Sequence, residues 1–593
     1  MFQSPLREIR FVMHELLGDS LLGKLFSDVD YSAEVADSIV EEAGKFAENV
    51  LEPLNQPGDR EGARWTPEGV VMPRGFREAY KAYVEAGWAQ LSIEVDRGGQ
   101  GMPQLLNTAV EELMFASNMA FYVGTSLVRG AVETITASGT KEQQQKILPQ
   151  LSSGEWMGTM NLTESQAGSD LALLRTRAAP EGDHYRIFGQ KIFITYGDHD
   201  LTDNIIHLVL ARIDGAPAGT RGISLFFVPK YLINSDGSRG AANDVRCISI
   251  EHKLGIHASP TCVMAYGEKD GAIGYLLGEP NTGLSHMFIM MNAARLSVGV
   301  QGLAQSERAL QQATGWARSR LQGRSADGKK PGPVAIIQHP DVKRMLLSMR
   351  ARTEAMRALA YYAALELDRG RRAGDQAERD AAMLRAELLI PIVKGWCTEI
   401  AVDVASTGIQ VHGGMGFVEE TGAAQFLRDV RIASIYEGTT GIQSNDLVGR
   451  KLARDRGAAM AALIGELLTE LNAARALTPA AKSIRNAAIE ALTQLRDASE
   501  SLLQQHAEKP ERALAVSVPY LQLCGLVLGG ALAARASTIA EAAMQKSPDD
   551  TFYAAKLQTG QFYAEQLLPA AMGLARVVKS GAGSVADADV ALL

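Results

Sequence analysis

A carboxylate, a glycine and two hydroxyls stand together at residues 436–440 (YEGTT), directly after the apolar and basic segment 426–435. The glycine lets the backbone turn sharply and approach a ligand closely. A carboxylate held inward and away from water is a stronger base than one in solvent. The ordinary alternative is an exposed glutamate at a helix end, because charged side chains usually stay in water. Residue types and spacing therefore make Glu437 a candidate general base.

Two further glycine-containing segments carry side chains that could hold a ligand. Gln410 stands beside Gly413 and Gly414 in QVHGGMGF, where a second backbone loop could approach a bound molecule. Thr163 and Ser169 lie in MNLTESQAGSD, whose hydroxyl and backbone donors suit a polar ring edge or a pyrophosphate. Taken alone, the second pattern is more typical of a turn with a helix cap. The combination of segments, rather than any one of them, indicates a ligand site.

The segments together resemble motifs of the acyl-CoA dehydrogenase family. RDVRIASIYEGTTGIQ resembles its catalytic-base segment, QVHGGMGF its flavin-contacting loop, and MNLTESQAGSD and KIFITYG two further flavin motifs, in the family's order across about residues 40–450. The Ala- and Leu-rich remainder, about 460–593, resembles the extra helical domain of a long branch. That branch includes 3-methylmercaptopropionyl-CoA dehydrogenase-like enzymes and others that act on straight acyl chains.

The resemblance implies FAD-dependent α,β-dehydrogenation of an acyl-CoA thioester to a trans-2-enoyl-CoA, as in fatty acid β-oxidation and lipid metabolism. Glu437 would abstract the α-proton while hydride passes to flavin N5, with electron-transferring flavoprotein as the acceptor. Some relatives carry the base on an earlier helix, immediately before an arginine. Here Ala294 precedes Arg295, which favours Glu437. An acyl-CoA oxidase and a DNA-binding flavoprotein of the same superfamily are the alternatives.

The same resemblance assigns further residues. Phe193 and Thr195 would flank the flavin ring, with ordinary strand core as the alternative for Phe193. Arg320 and Gln322 would reach the FAD of a partner subunit, with a basic helix end favoured by the helix dipole as the alternative. Gln410, Gly413 and Gly414 would contact the partner-side nucleotide. The residues implied for FAD are Thr163, Ser169, Phe193, Thr195, Arg320, Gln322, Gln410, Gly413, Gly414 and Thr439, and those for the substrate are Ser169, Arg295 (towards the CoA phosphates) and Gly438.

Composition limits the kinds of partner and the cellular compartment that we expect for this protein. The net charge of -9 gives no electrostatic case for nucleic acid or an anionic membrane surface. Four cysteines without metal-ligand or redox spacing predict reduced core residues, no metal site and a cytoplasmic location. The charged N-terminus lacks a signal-peptide pattern. A homodimer is expected, since the extra domain could cover the surface through which smaller relatives form tetramers.

Hydrophobic periodicity predicts the elements that position these residues. Helical spacing covers 35–151, β-branched and aromatic runs separated by turns extend to about 278, and long helical patterns follow. The prediction is an α+β protein with the acyl-CoA dehydrogenase fold that the resemblance implies. Its segments are a helical lead-in 1–36, an N-terminal α domain 37–158, a middle β-barrel-like domain 159–278, a four-helix bundle carrying the base 279–450, and an extra C-terminal helical domain 460–593.

One uncharged passage, 513–534, is long enough to span a bilayer. It contains Ser517, Pro519 and Gln522 and is rich in alanine and glycine. This composition favours a buried helix, or two short ones, in the C-terminal helical domain. No membrane partner is expected.

Overall fold

The computed structural model describes residues 2–329 and 331–592, and the chain forms two compact units. Unit 1 comprises Met1–Glu42, Gln104–Glu112 and Arg295–Leu593, and unit 2 comprises Ala43–Pro103 and Leu113–Ala294. These units cut across the five predicted segments, whose boundaries stay predictions.

Helices dominate the first 153 residues, as the helical periodicity predicts. The continuous pattern over 105–139 is nevertheless broken at Asn118, whose side chain accepts a 3.0 Å hydrogen bond from the Phe121 N–H and so begins a new helix. A short hairpin, β1 and β2, was not predicted, because three-residue strands are too short to show a period of two. The bounds are α1 Leu6–Arg10, α2 Asp19–Leu25, α3 Ala33–Phe46, α4 Glu52–Glu61, β1 Arg64–Thr66, β2 Gly69–Val71, α5 Phe76–Glu85, α6 Gln104–Ser117, α7 Met119–Thr125, α8 Leu127–Ser138 and α9 Lys141–Ser153.

Unit 2 contains the β domain. Its strands are β3 Trp156–Asn161, β4 Arg177–Glu181, β5 His184–Thr195, β6 Asn204–Ile213, β7 Ser224–Pro229, β8 Tyr231–Ile233, β9 Arg239–Ala242, β10 Val245–Ile250, β11 Thr261–Tyr266 and β12 Ala272–Leu277. Strand β4 pairs with both β5 and β6, which closes a ring of β5, β12, β7, β6 and β4 around buried side chains such as Ile187 and Phe226. Ring closure leaves fewer unpaired edges, and it confirms the predicted barrel-like domain.

Unit 1 contains the predicted helix bundle. Its helices are α10 Gly283–Ser319 (from Arg295 onward), α11 Pro340–Arg372, α12 Gln376–His412, α13 Ala423–Val430 and α14 Thr440–Asp446, which continues as a π-helical turn over Leu447–Leu452. Helices α10, α11, α12 and α13 share one core, with Ala313, Met349, Val404 and Val430 among its residues. Four helices around one core confirm the bundle prediction.

The C-terminal helices also belong to unit 1. They are α15 Ala458–Ala473, α16 Pro479–Glu508, α17 Pro510–Ala515, α18 Ser517–Lys546, α19 Thr551–Phe562, α20 Ala570–Ser580 and α21 Gly583–Ala586. By length and composition α18 could cross a membrane, and 67% of its most apolar stretch is buried inside the protein. It packs against α11, α12 and α16, so the buried-helix interpretation of the uncharged passage is confirmed.

The contact between α18 and α12 depends on a glycine. A Cβ on Gly525 would lie 2.1 Å from Trp396 Cγ, so Gly525→Ala must displace one of the two helices. We expect a loss of about 1–3 kcal/mol in the free energy of unfolding, as for overpacked cores. Gly465→Ala on α15 is the matched control, because its Cβ meets open space and helical Gly→Ala stabilises by about 0.5–1 kcal/mol. Equal melting temperatures for the two variants would contradict the close packing.

Candidate active site

Glu437 lies in a left-handed turn just before α14. Its φ is 55°, and Gly438 follows with φ 92°, so two consecutive residues adopt a conformation that side chains disfavour. Such a non-glycine residue is strained by about 1–3 kcal/mol and persists only where the surroundings hold it. At Gly438 a Cβ would also come within 2.6 Å of Gln443 Nε2. The turn therefore requires the glycine that the sequence singled out.

Side chains from α12 and α14 hold this turn. Lys394 Nζ on α12 donates to the Gly438 carbonyl at 2.6 Å. Gln443 Nε2 on α14 donates to the carbonyls of Glu437 and Gly438 at 3.2 and 3.3 Å. Two further contacts are Thr440 Oγ1 to Glu399 Oε1 (2.5 Å) and the Tyr436 hydroxyl to the Gln301 amide oxygen. Together they hold the turn at the carbonyls of Glu437 and Gly438 and at the side chains of Tyr436 and Thr440.

Sequence reasoning missed these holding residues. Lys394 carried the one usable signal, since it is a lone charge within the apolar run LLIPIVKGWC and charged residues are seldom buried without a partner. Gln443 and Glu399 gave no signal, because polar side chains on helices are ordinary. Their roles depend on which helix lies opposite, and local spacing does not encode that.

The Glu437 carboxylate has no competing partner. It makes no hydrogen bond or ion pair within residues 2–329 and 331–592. Although its side chain keeps some exposed surface, the protein around it is dense enough that desolvation raises its pKa to about 7. The nearby charges of Lys394 and Arg295 oppose that rise. A carboxyl with a pKa close to neutral pH is suited to accept a proton as a general base.

Arg295 is buried rather than exposed to solvent. Its side chain is 4% exposed, and Nη1 lies 3.0 Å from Asp446 Oδ2 on α14. Arg450 contacts the other oxygen of the same carboxylate at 2.7 Å. This placement argues against the predicted contact between Arg295 and CoA phosphates, since a buried guanidinium with a carboxylate partner cannot reach them without losing that pair. The structure instead places its charge near Glu437.

The predicted residues Arg320 and Gln322 follow the end of α10. Backbone bonds hold this segment, including Gln322 N–H to Val334 O at 3.0 Å. Both side chains are exposed, and in the part of the chain that the structure describes neither makes a hydrogen bond or ion pair. They are available to a ligand or to another protein chain.

Gln410, Gly413 and Gly414 are exposed at the end of α12. Gly413 ends the helix with φ 65°, and a Cβ on either glycine would meet open space. The backbone there can be approached closely, as predicted. Thr439 has a structural task as well, because its Oγ1 accepts from the Ile442 N–H at 3.2 Å and caps α14. Its hydroxyl proton remains for a further acceptor.

In unit 2, three predicted hydroxyls are open to a ligand. The side chains of Thr163, Ser169 and Thr195 make no hydrogen bond among the described residues, and none of the three residues is fully buried. The backbone near Thr163 is fixed, since its carbonyl accepts from the Ile192 N–H at 2.9 Å. A fixed backbone with free hydroxyl donors suits a ligand with several polar atoms.

Phe193 sits on a β-bulge. Against β11, Ile194 is opposite Cys262 and Lys191 is opposite Met264, so an extra residue of β5 is left between them. The bulge gives Phe193 a φ of 61° and leaves its side chain 58% exposed. The alternative of ordinary strand core is therefore excluded. An exposed aromatic ring beside free hydroxyls fits the planar, polar-edged ring of a flavin.

Comparison with known proteins identifies the family. Four family models match: acyl-CoA dehydrogenase N-terminal domain at 34–155, middle domain at 159–267, C-terminal domain at 281–453, and acetyl-CoA dehydrogenase C-terminal like at 459–589. The chain is similar to 3-methylmercaptopropionyl-CoA dehydrogenase of Ruegeria pomeroyi, at 45% identity over 571 residues and 96% of each chain. It is similar to butyryl-CoA dehydrogenase of Syntrophomonas wolfei, at 34% identity over 601 residues, 98% of this chain and 97% of the relative.

Among solved structures, Caenorhabditis elegans ACDH-11 in complex with C11-CoA has a similar fold. The TM-score is 0.74 at 22% identity, with 96% of this chain and 92% of the other covered. The match extends through the C-terminal helices, as do the two relatives and the fourth family model. The chain therefore belongs to the acyl-CoA dehydrogenase family of oxidoreductases, in the form that carries an additional C-terminal domain.

Proposed function

We propose that this chain is an FAD-dependent acyl-CoA dehydrogenase in which Glu437 removes the α-proton of the thioester. The main observation that supports this proposal is the turn that contains Glu437. In the part of the chain that the structure describes, the carboxylate of this strained, left-handed glutamate has no hydrogen-bond or ion-pair partner, and burial raises its pKa to about 7. Strain of this kind is kept where it serves function, and a base of this strength suits proton transfer near neutral pH.

Each residue of the turn would have a separate role in binding or activating the substrate. An α-proton of a thioester is a very weak acid, so the carbonyl oxygen must be polarised by fixed donors. By the resemblance, the Glu437 N–H would be one such donor, and Lys394 and Gln443 hold the turn that carries it. Gly438 leaves room for the thioester against the backbone. FAD, when bound, supplies the hydride acceptor for the β-carbon.

The flavin would be held by the open groups of unit 2. Thr163, Ser169 and Thr195 would donate hydrogen bonds, and Phe193 would lie against the ring. These groups fit because their hydroxyls have no hydrogen-bond partner among the described residues and the aromatic ring is exposed. We propose electron-transferring flavoprotein as the electron acceptor.

A homodimer is part of the proposal. The two segments of unit 1 that the resemblance assigns to a partner subunit's nucleotide carry exposed apolar side chains, namely Leu321, Met415, Phe417 and Val418, with Phe417 88% exposed. Large apolar side chains left in water are typical of protein interfaces. Arg320, Gln322, Gln410, Gly413 and Gly414 would then contact the nucleotide of the partner subunit. Sedimentation showing a monomer or a tetramer would contradict this arrangement.

We propose a substrate class from the substrates for which two relatives are named. The relative at 45% identity is named for 3-methylmercaptopropionyl-CoA and the one at 34% for butyryl-CoA, and both are matched along nearly their whole length. We propose a short acyl-CoA thioester of one of these two kinds. Both have the saturated α,β-carbons that the reaction requires.

The test is an anaerobic titration of the purified flavoprotein. 3-Methylmercaptopropionyl-CoA, butyryl-CoA and longer acyl-CoAs are added in turn while the visible flavin absorption and the enoyl-CoA product are followed. We expect bleaching and stoichiometric product with a short thioester, and none with trans-2-enoyl-CoA, which has already lost the two hydrogens. A bound flavin that no thioester bleaches would contradict the proposal.

Admitting air to the reduced protein separates the two electron acceptors. Slow reoxidation in air and fast reoxidation by electron-transferring flavoprotein is expected for a dehydrogenase. Rapid formation of hydrogen peroxide would identify an oxidase instead. The DNA-binding alternative has no support in a net charge of -9.

A further inference from the structure

Lys394 is a buried cation next to the proposed base. Its side chain is 0% exposed on α12, and its ammonium makes one hydrogen bond, to the Gly438 carbonyl at 2.6 Å. Within the described residues it makes no ion pair. An unpaired buried charge is expensive, so a chain without a use for it would gain stability from an apolar residue.

Next to Lys394, helix α12 packs against an uncharged stretch of the C-terminal helix α18. A Cβ on the next residue, Gly395, would lie 2.7 Å from Leu521 of α18, so that helix packs directly on this turn of α12. Residues 517–534 of α18 carry no charge. Ser517 at its start bonds Ser444 of α14 at 3.0 Å, which ties α18 to the helix that follows the base. The additional domain therefore packs against the turn of α12 that carries Lys394.

We propose that Lys394 is a positioning residue for Glu437, holding the Gly438 carbonyl and supplying the positive charge that keeps the adjacent carboxylate ionised. The inference rests on the proposed function of Glu437 as the base. It assigns the buried lysine a part in the reaction rather than in packing alone.

The electrostatics around Glu437 are consistent with this role. Burial lowers the pKa of Lys394 to about 7, while the Glu437 charge opposes the decrease and Arg295 adds to it. Burial raises the pKa of Glu437, also to about 7, and Lys394 is the first of the two cations that hold it down. The charged and titratable groups around the carboxylate are Lys394 and Glu399 on α12, Arg295 on α10, Asp446 on α14, Arg450 on its π-helical extension and the adjacent Tyr436.

The neighbouring arginine acts on Glu437 less strongly than Lys394 does. Arg295 has a carboxylate partner, Asp446, at 3.0 Å, and Asp446 also pairs with Arg450. Among the described residues Lys394 has no such carboxylate in contact. Removing it should therefore shift the titration of the base more than removing Arg450 would.

The first test is the pH dependence of kcat/KM. Lys394→Met should move the acid limb to higher pH by about one unit, so that activity near pH 6 falls roughly tenfold further than activity near pH 9. Lys394→Gln, which keeps a donor but no charge, should show the same shift, and Lys394→Arg should restore the limb. Lys343→Met, the same substitution on the exposed part of α11, is the control and should leave the profile unchanged. A uniform loss at all pH values would overturn the proposal.

The second test needs no bound cofactor. Burial holds the pKa of Glu437 above its unfolded value, so this carboxyl contributes stability at low pH that is lost as pH rises through about 7. The melting temperature of Glu437→Gln should therefore rise relative to wild type between about pH 5 and about pH 8. In the Lys394→Gln background this rise should be larger and extend about one pH unit higher.

The two tests separate this inference from the proposed function. If wild type converts no thioester, the proposed function fails, while the melting curves still report whether Lys394 acts on Glu437. If wild type is active and its acid limb is the same with and without the Lys394 charge, only the inference fails. An identical melting difference in both backgrounds would also overturn it.

Discussion

Replacing Glu437 with glutamine is expected to lower kcat by about 10²–10⁴-fold while leaving the affinity for the thioester nearly unchanged. The amide has the shape of the carboxylate but cannot accept the α-proton. The backbone turn should survive, because its contacts from Lys394 and Gln443 go to carbonyl oxygens and not to the carboxylate. Anaerobic single-turnover bleaching measures the chemical step, and binding of a non-reacting thioester measures affinity.

Glu490→Gln on α16 is the matched control for this experiment. Glu490 is an exposed carboxylate on the C-terminal domain, so the same chemical change there should leave kcat within experimental error. A Glu437→Gln variant that keeps more than about a tenth of the wild-type rate would rule Glu437 out as the base. Weakened binding with an unchanged chemical step would instead indicate a role in holding the substrate.

Arg357→Met is expected to destabilise the protein by about 3–5 kcal/mol, the range for breaking a buried ion pair from one side. Arg357 on α11 is 1% exposed, and its guanidinium contacts Glu112 of α6 at 2.7 Å and Glu307 of α10 at 2.8 Å. The Tyr361 hydroxyl donates to the second Glu112 oxygen at 2.7 Å. Removing the cation leaves two buried carboxylates without their counter-charge.

The control for Arg357→Met is Arg352→Met, the same substitution on the same helix. Arg352 pairs at 3.4 Å with Asp403, whose side chain is 64% exposed, so its loss should change stability by at most about 1 kcal/mol. Adding Glu112→Gln and Glu307→Gln to Arg357→Met should recover much of the loss, because the uncompensated charge disappears. Thermal and urea unfolding measure all variants. Equal destabilisation by the two arginine substitutions would show that the buried ion pairs of Arg357 with Glu112 and Glu307 stabilise the protein no more than an exposed pair does.

Local patterns were sufficient for the architecture of this protein. The change from helical to strand periodicity near Trp156 and back after Gly278 predicted the order of α, β and α regions. Those patterns record which face of each element is apolar, and burial of apolar faces decides the layers. The same reasoning identified 513–534 as a buried helix. It missed the hairpin β1–β2, because three-residue strands carry no measurable period.

For the candidate site, the sequence predicted some residues, but their surroundings depend on the tertiary structure. Glu437 and Gly438 were recognisable because a carboxylate beside a glycine, in the company of three other motifs, is a rare local combination. Phe193 was predicted to be a flavin neighbour, but its exposure on a bulge depends on how β5 pairs with β11. The burial of Arg295 against Asp446 likewise depends on the opposing helix. Each of these placements is a contact between residues far apart in the chain.

The sequence by itself determined the family, the α+β order and the position of the candidate base segment, since these reside in residue types at short spacing. Only the tertiary structure decided what surrounds the carboxylate: the strained φ of Glu437, the Lys394 ammonium on the Gly438 carbonyl and the packing of α18 on the turn of α12 that carries Lys394. The physical reason is that desolvation and the field of a buried charge depend on distance through space. Packing sets these distances between α12, α14 and α18, and no local pattern in the chain encodes them.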